Sequence, residues 1–245
     1  MIPLKDDAPR VGTPYVTYTL IAACTLIFLL EGLIGPVAQR QLKFQFGVVP
    51  VRISIVLFHQ GDVPWNLAYQ LGTRYVPPAA AFVPIFTSMF LHASIWHLLF
   101  NMLFLWIFGD NVEDAIGHFP YLVLYLLGGV AAITLHVFFY PSSLVPVVGA
   151  SGAIAGVMGA YFILYPRAKV LTLVPFFFVF FVWLPAWVML GVWFVWEFLS
   201  GAATSVANHA GGSSGVAFWA HVGGFLAGMA LVKLFPSRVR RYYYG

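Results

Sequence analysis

Six apolar runs, most of them about 20 residues long, dominate this 245-residue chain and leave few folds open to it. A run of that length crosses the hydrocarbon of a bilayer as one helix, and inside lipid only a helix or a closed barrel satisfies its own backbone polar groups. The runs cover residues 15–34, 83–108, 119–140, 151–165, 177–199 and 216–235. The fourth is short, which suits a helix whose start is buried in protein rather than in lipid. Charged residues make up 8% of the chain, against about 25% in a soluble domain, so the runs read as spans rather than as a soluble core. The sequence predicts an all-α polytopic membrane protein, one domain over residues 1–245 with six transmembrane helices.

The links between runs set the expected topology. Residues 35–82 form a long first loop in which Arg40, Lys43, Arg52, Asp62 and Arg74 stand among apolar residues. Such a loop is expected to lie along the membrane surface in short amphipathic helices. Arg167 and Lys169 follow the fourth run, and Lys233, Arg238, Arg240 and Arg241 follow the sixth. Cytoplasmic loops collect basic residues, and an even number of spans then brings the N-terminus to the same side. The expectation is a multi-pass protein of the cell membrane, in contact with the lipid bilayer, with both termini cytoplasmic. The start of the fourth span, and Ser151 with it, then faces outward. Residues 1–14 read as a short cytoplasmic tail before a retained helix, since they resemble neither a transit peptide nor a cleaved leader. Cys24 is the lone cysteine, so no intrachain disulfide forms. No basic stripe with interleaved aromatics points to nucleic acid.

Polar residues inside the runs are few and costly, and such residues usually mark function. Ser151 lies in Gly149-Ala150-Ser151-Gly152-Ala153-Ile154-Ala155-Gly156, and His221 in Ala220-His221-Val222-Gly223-Gly224. A serine hydroxyl is a poor nucleophile until a base takes its proton, and neutral histidine is the usual base. The second run carries His92, His97 and Asn101. His97 and Asn101 are four apart on one helical face, so both reach the same pocket and can donate to an oxyanion. The Ser151 N–H, at a helix start, is a further donor. Gly149 and Gly152 let another backbone approach the serine. Glu31 and Glu197 are the only acids in the runs, and Asp110, Glu113 and Asp114 lie at the far end of the second. With no acid identified as a partner, the pattern favours a Ser151–His221 dyad over a triad.

Simpler readings compete. Gly152-x-x-x-Gly156 and Gly224-x-x-x-Gly228 are helix-packing patterns. Taken singly, His221 could be a hydrogen-bonded structural histidine, and His97 with Asn101 interhelical glue. A zinc site at His92, His97 and His221 would need better spacing, and no metal or other cofactor is expected. His59, His118, His136 and His209 have weaker claims, His209 because it falls in a Gly- and Ser-rich last loop. Serine, base and donors on three different runs together favour a catalytic site.

At these residues the sequence resembles the rhomboid family of intramembrane serine proteases. The resemblance rests on His92-x-x-x-x-His97-x-x-x-Asn101, Gly109-x-x-x-Glu113-x-x-x-Gly117, Gly149-Ala150-Ser151-Gly152 and Ala220-His221-x-Gly223-Gly224-x-x-x-Gly228. It implies Ser151 as nucleophile, His221 as base, and an oxyanion hole of His97, Asn101 and the Ser151 N–H. It also implies transmembrane protein substrates, cleaved near the outer face, and a cap over residues 201–218. Two features depart from the family. Some members have an aromatic ring four residues after the serine, stacked on the base; here that position is Ala155, so His221 must be oriented otherwise. A Trp-Arg pair common in the first loop is missing. The rivals are a non-catalytic rhomboid-like protein that binds membrane clients, and a small transporter, against which the lack of inverted repeats argues. Trp183, Trp187, Trp193 and Trp196 in the fifth run are expected at lipid or substrate, chiefly as interface anchors.

Overall fold

The computed structural model describes residues 1–176, 178–209 and 217–237. The chain is mostly helical, with a small sheet at one end. In order, the elements are β1 (Ile2–Asp6), α1 (Tyr15–Gly32), α2 (Pro36–Phe46), α3 (Pro50–His59), α4 (Trp65–Leu71) and α5 (Pro78–Thr87). Then come α6 (Ile95–Ile116), α7 (His118–Phe139), α8 (Ser151–Leu164), β2 (Lys169–Phe176), β3 (Phe178–Pro185), α9 (Ala186–His209) and α10 (Phe218–Leu231). Among the described residues four helices, α1, α6, α7 and α9, are long and apolar enough to cross a membrane, while α8 and α10 have 14 residues each.

Three departures from the sequence expectation have local causes. The second run is not one helix. It divides into α5, a 3-10 turn at Ser88–Phe90 and α6, because Leu91 is extended and Ser94 starts a new helix. The Ser94 hydroxyl accepts from His97 N at 3.2 Å, satisfying one of the free donors of the first turn. The fifth run begins as sheet, so the fold is not wholly α. Residues 169–185 are dense in Val, Phe, Leu and Trp, which suit a pleated surface, and Pro185 is hard to hold inside a helix. A hairpin of β2 and β3 results, with Lys169 opposite Pro185. Third, α9 continues to His209, so much of the expected last loop is helix, and residues 210–216 of the expected cap lie outside the described residues.

The first loop folds as four short helices, α2 to α5. Val48, Val49, Val51, Ile55, Val76 and Ala81 form a side core that closes on Ile133 of α7. An antiparallel bridge between Val48 and Val147 ties this loop to the segment leading into α8. The N-terminal tail is likewise docked. β1 pairs antiparallel with β2, Arg10 forms an ion pair with Asp110 at 2.8 Å, and Asp7 Oδ1 accepts from Lys169 N at 2.7 Å. The N-terminus and the C-terminal end of α8 therefore share one side of the molecule. There Glu113, fully buried near the end of α6, accepts from Val16 N, Thr17 N and the Thr17 hydroxyl at 2.7–2.8 Å. A carboxylate over the exposed amides of the first turn of α1 offsets the loss of water at that helix end.

The centre of the bundle is α8, whose residues 152–161 are all buried. It packs on α10 at backbone distance. A Cβ on Gly224 would overlap the Gly152 carbonyl, one on Gly228 the Gly156 carbonyl, and one on Gly159 the Phe225 carbonyl. Small residues are what let two helices approach this closely.

One consequence concerns the docked tail. Asp6 accepts from the Tyr161 hydroxyl of α8. Burial pushes its carboxyl up to about 7, outweighing that hydrogen bond, and the charges of Asp110 and Asp7 add to the rise. The docked arm thus holds its proton more tightly than the free chain, whose carboxyl titrates near 4. Docking is fully favoured below about pH 4 and weakens as pH rises through about 7. Amide exchange in residues 2–6, corrected for the intrinsic rate and measured from pH 5 to 8, should show protection falling with pH. Asp6→Asn should flatten that dependence.

Candidate active site

Ser151 is the first residue of α8, and its N–H belongs to the turn that has no acceptor within the helix. His221 sits in the first turn of α10. The backbone contact of the two helices brings Ser151 Oγ to 2.8 Å from His221 Nε2. On the other side of the ring, Nδ1 is 2.7 Å from Glu197 Oε2 of α9. Hydroxyl, imidazole and carboxylate thus form one continuous hydrogen-bonded chain. A third member was not expected from the sequence, and Glu197 is the residue that sequence reasoning missed.

A cavity of about 720 Å³ opens beside this chain. Ser151, His221, His97, Asn101, His136 and Trp193 are among the residues that line it. His97 and Asn101 share the cavity-facing side of α6, one turn apart, and the Asn101 side-chain amide donates to His97 O at 2.8 Å. His92 lies before α6 rather than on it, fully buried, with its ring 5.2 Å from that of His97. It packs behind the His97 ring and is not among the residues that line the cavity.

The two glycines flanking the serine have different roles. Gly149 has φ +127°, which a residue with a side chain rarely adopts, and a Cβ there would meet His97 Cε1 at 2.6 Å. It shapes the turn into α8 and seats the His97 ring. Its N–H donates to Ser88 O at 2.9 Å, locking this turn to the break before α6. Gly152 instead makes room for α7, since a Cβ would come within 2.6 Å of Ala132 Cβ.

The remaining histidines separate cleanly. His136 of α7 reaches the cavity wall and stacks at a tilt on Tyr140, with ring centres 5.2 Å apart. His118 pairs with Glu113 at 2.6 Å at the far end of the bundle, His59 ends α3, and His209 ends α9. Ala155 of α8 is fully buried and presents no ring to His221 of α10. Trp193 of α9 stands in its place, tilted, with its ring centre 6.1 Å from that of His221. Tyr161 is engaged elsewhere, against Phe108 and Asp6. Trp187 and Trp196 are exposed on α9, and Trp183 lies on β3 beneath Lys5.

The model of the Rhomboid domain family matches residues 79–238, which include every residue of this site. The chain belongs to the rhomboid family. This rhomboid is 34% identical over 184 residues to Rhomboid protein 1, mitochondrial, of Saccharomyces cerevisiae, covering 72% of this chain and 49% of the yeast protein. It is 30% identical over 166 residues to RHOMBOID-like protein 6, mitochondrial, of Arabidopsis thaliana, covering 60% of this chain and 50% of the relative. It is 32% identical over 149 residues to Rhomboid protease GluP of Bacillus subtilis, covering 61% of this chain and 24% of that protein. The chain thus spans about half the length, or less, of these relatives. This rhomboid is a membrane protein by family and by its apolar helices.

The glycine contact between α8 and α10 can be tested on this rhomboid directly. Gly228→Ala drives a methyl into the Gly156 carbonyl and should destabilise the bundle by about 1–3 kcal/mol, as overpacking does. Gly191→Ala on α9 meets nothing within 4 Å, so it should be neutral or stabilising by up to about 1 kcal/mol. Unfolding in mixed detergent–SDS micelles measures both, and equal stability of the two variants would remove the close contact.

Proposed function

We propose that this rhomboid is an intramembrane serine protease that hydrolyses peptide bonds in or next to transmembrane helices of other membrane proteins. The observation that carries the reading is the 2.8 Å contact of Ser151 Oγ with His221 Nε2 beside a cavity large enough for an extended peptide segment. The similarity to a bacterial rhomboid protease supports it. In the first step His221 Nε2 takes the Ser151 proton as Oγ attacks the substrate carbonyl carbon. The oxygen of the tetrahedral intermediate is held by the Ser151 N–H, His97 and Asn101. Collapse breaks the C–N bond, and the proton on His221 passes to the leaving amine. Water then attacks the acyl-enzyme, again with His221 as base, and releases the acid and Ser151.

The same reading makes α8 and α10 the fourth and sixth spans of a single six-span domain. Their 14 residues fall short of a full crossing, and their first turns, at Ser151 and at Ala220–His221, line the cavity. Water then reaches the serine from the outer side, while Arg167, Lys169 and the docked N-terminal arm lie on the cytoplasmic side.

Purified protein should react with a fluorophosphonate at Ser151, and Ser151→Ala and His221→Ala should reduce labelling to background. Cleavage of a reconstituted transmembrane substrate should vanish in the same variants. Asn101→Ala should lower the cleavage rate by about 10²–10³, the usual effect of one oxyanion donor. Equal labelling of wild type and both dyad variants would overturn the catalytic reading in favour of a client-binding protein.

A further inference from the structure

We infer that Glu197 is a positioning residue for His221, so that Ser151, His221 and Glu197 act as a three-member relay. The inference rests on the reading of Ser151 and His221 as nucleophile and base. Three observations carry it. The carboxylate oxygen lies 2.7 Å from His221 Nδ1, on the side of the ring opposite Ser151. Both side chains are largely removed from solvent, at 15% exposed for His221 and 11% for Glu197. Glu197 is also the only Asp, Glu, Lys or Arg of α9, a helix otherwise apolar enough to cross a membrane.

The chemistry follows from the tautomer. For Nε2 to accept the serine proton, the hydrogen of neutral imidazole must sit on Nδ1, and in an apolar wall that N–H needs an acceptor. Trp193 is a donor only, and position 155, where some relatives carry a ring, is alanine. The Glu197 carboxylate accepts the Nδ1 hydrogen, fixes the ring plane, and stabilises the imidazolium that forms when Ser151 attacks. The proton stays on His221 until it passes to the leaving amine, and Glu197 remains ionised throughout. Conversely, a carboxylate held inside such a helix is costly unless a donor meets it, and His221 is a donor within reach.

The test follows fluorophosphonate labelling of the purified full chain, separating the maximal inactivation rate from the half-saturating reagent concentration. Glu197→Ala should lower the maximal rate by about 10²–10⁴ while leaving half-saturation within about threefold, as loss of the third triad member does elsewhere. Added formate should restore at least about tenfold of the rate in Glu197→Ala, by refilling the site with a carboxylate, and should do nothing for Ser151→Ala or His221→Ala. Glu197→Gln keeps the shape without the charge and should be slow as well; it carries the test if the alanine variant does not fold. Glu197→Asp should fall between wild type and Glu197→Ala. Wild-type rates in Glu197→Ala and Glu197→Gln, or a slow Glu197→Ala that formate does not rescue, would overturn the inference while leaving the dyad intact. Labelling that persists in Ser151→Ala and His221→Ala would remove the dyad reading, and the inference with it.

Discussion

The arrangement depends on one contact, the backbone-to-backbone approach of α8 and α10. Serine and histidine carry short side chains, so a 2.8 Å contact between them requires their helices to meet more closely than Leu or Ile would permit. Glycines at 156 and 159 on α8 and at 224 and 228 on α10 remove the atoms that would hold them apart. In lipid no hydrophobic force drives helices together, so close van der Waals packing has to supply the association. Structural and chemical readings of these glycines are therefore one reading. The packing motif is what makes Ser151 and His221 neighbours.

The two ends of α8 are treated differently. At the Ser151 end the helix opens on a cavity, where its first N–H groups have no acceptor within the helix. At the other end several polar groups are engaged: Tyr161 with Asp6, Glu113 with the start of α1, and Asp7 with the backbone of β2. The Tyr161–Asp6 hydrogen bond ties that end of α8 to the N-terminal arm, on the side of the molecule opposite the serine.

Much of this was legible in the sequence, and the remainder failed for specific reasons. Length and hydropathy located α1, α7 and α8 to within a few residues, because an uninterrupted apolar helix is what those measures detect. They passed over the break at Leu91–Ser94, although Ser94 before an apolar run is a recognisable helix start, since the run on both sides is equally apolar. They also merged a hairpin with a helix at residues 177–199, for β-branched and aromatic residues read as apolar in either state. That error concealed Glu197. Ending the fifth helix at Leu199 leaves the carboxylate at its rim, whereas continuing to His209 carries it inside the bundle beside His221. A lone acid within an apolar helix, one turn after Trp193, was the signal available.

The helix that carries Glu197 is also held differently from the other helices at the site. α8 and α10 touch through their backbones, while α9 meets α10 through side chains, with Phe194 on Phe225 at 4.9 Å and Trp193 on Phe225 at 5.8 Å. Its outer part is latched by Ser205, which hydrogen-bonds Tyr140 at 3.0 Å and accepts from Trp219 Nε1 at 2.8 Å. Neutral hydrogen bonds of this kind contribute about 1 kcal/mol each, whereas parting two glycine-packed helices gives up their backbone-distance van der Waals packing. On the proposed function, a substrate helix entering from the bilayer would meet least resistance at α9. Outward movement of α9 lengthens the Glu197–His221 contact before it disturbs Ser151–His221. On the proposed mechanism, the base is then fully oriented only once α9 has closed back on α10, which ties readiness for chemistry to closure of the cavity.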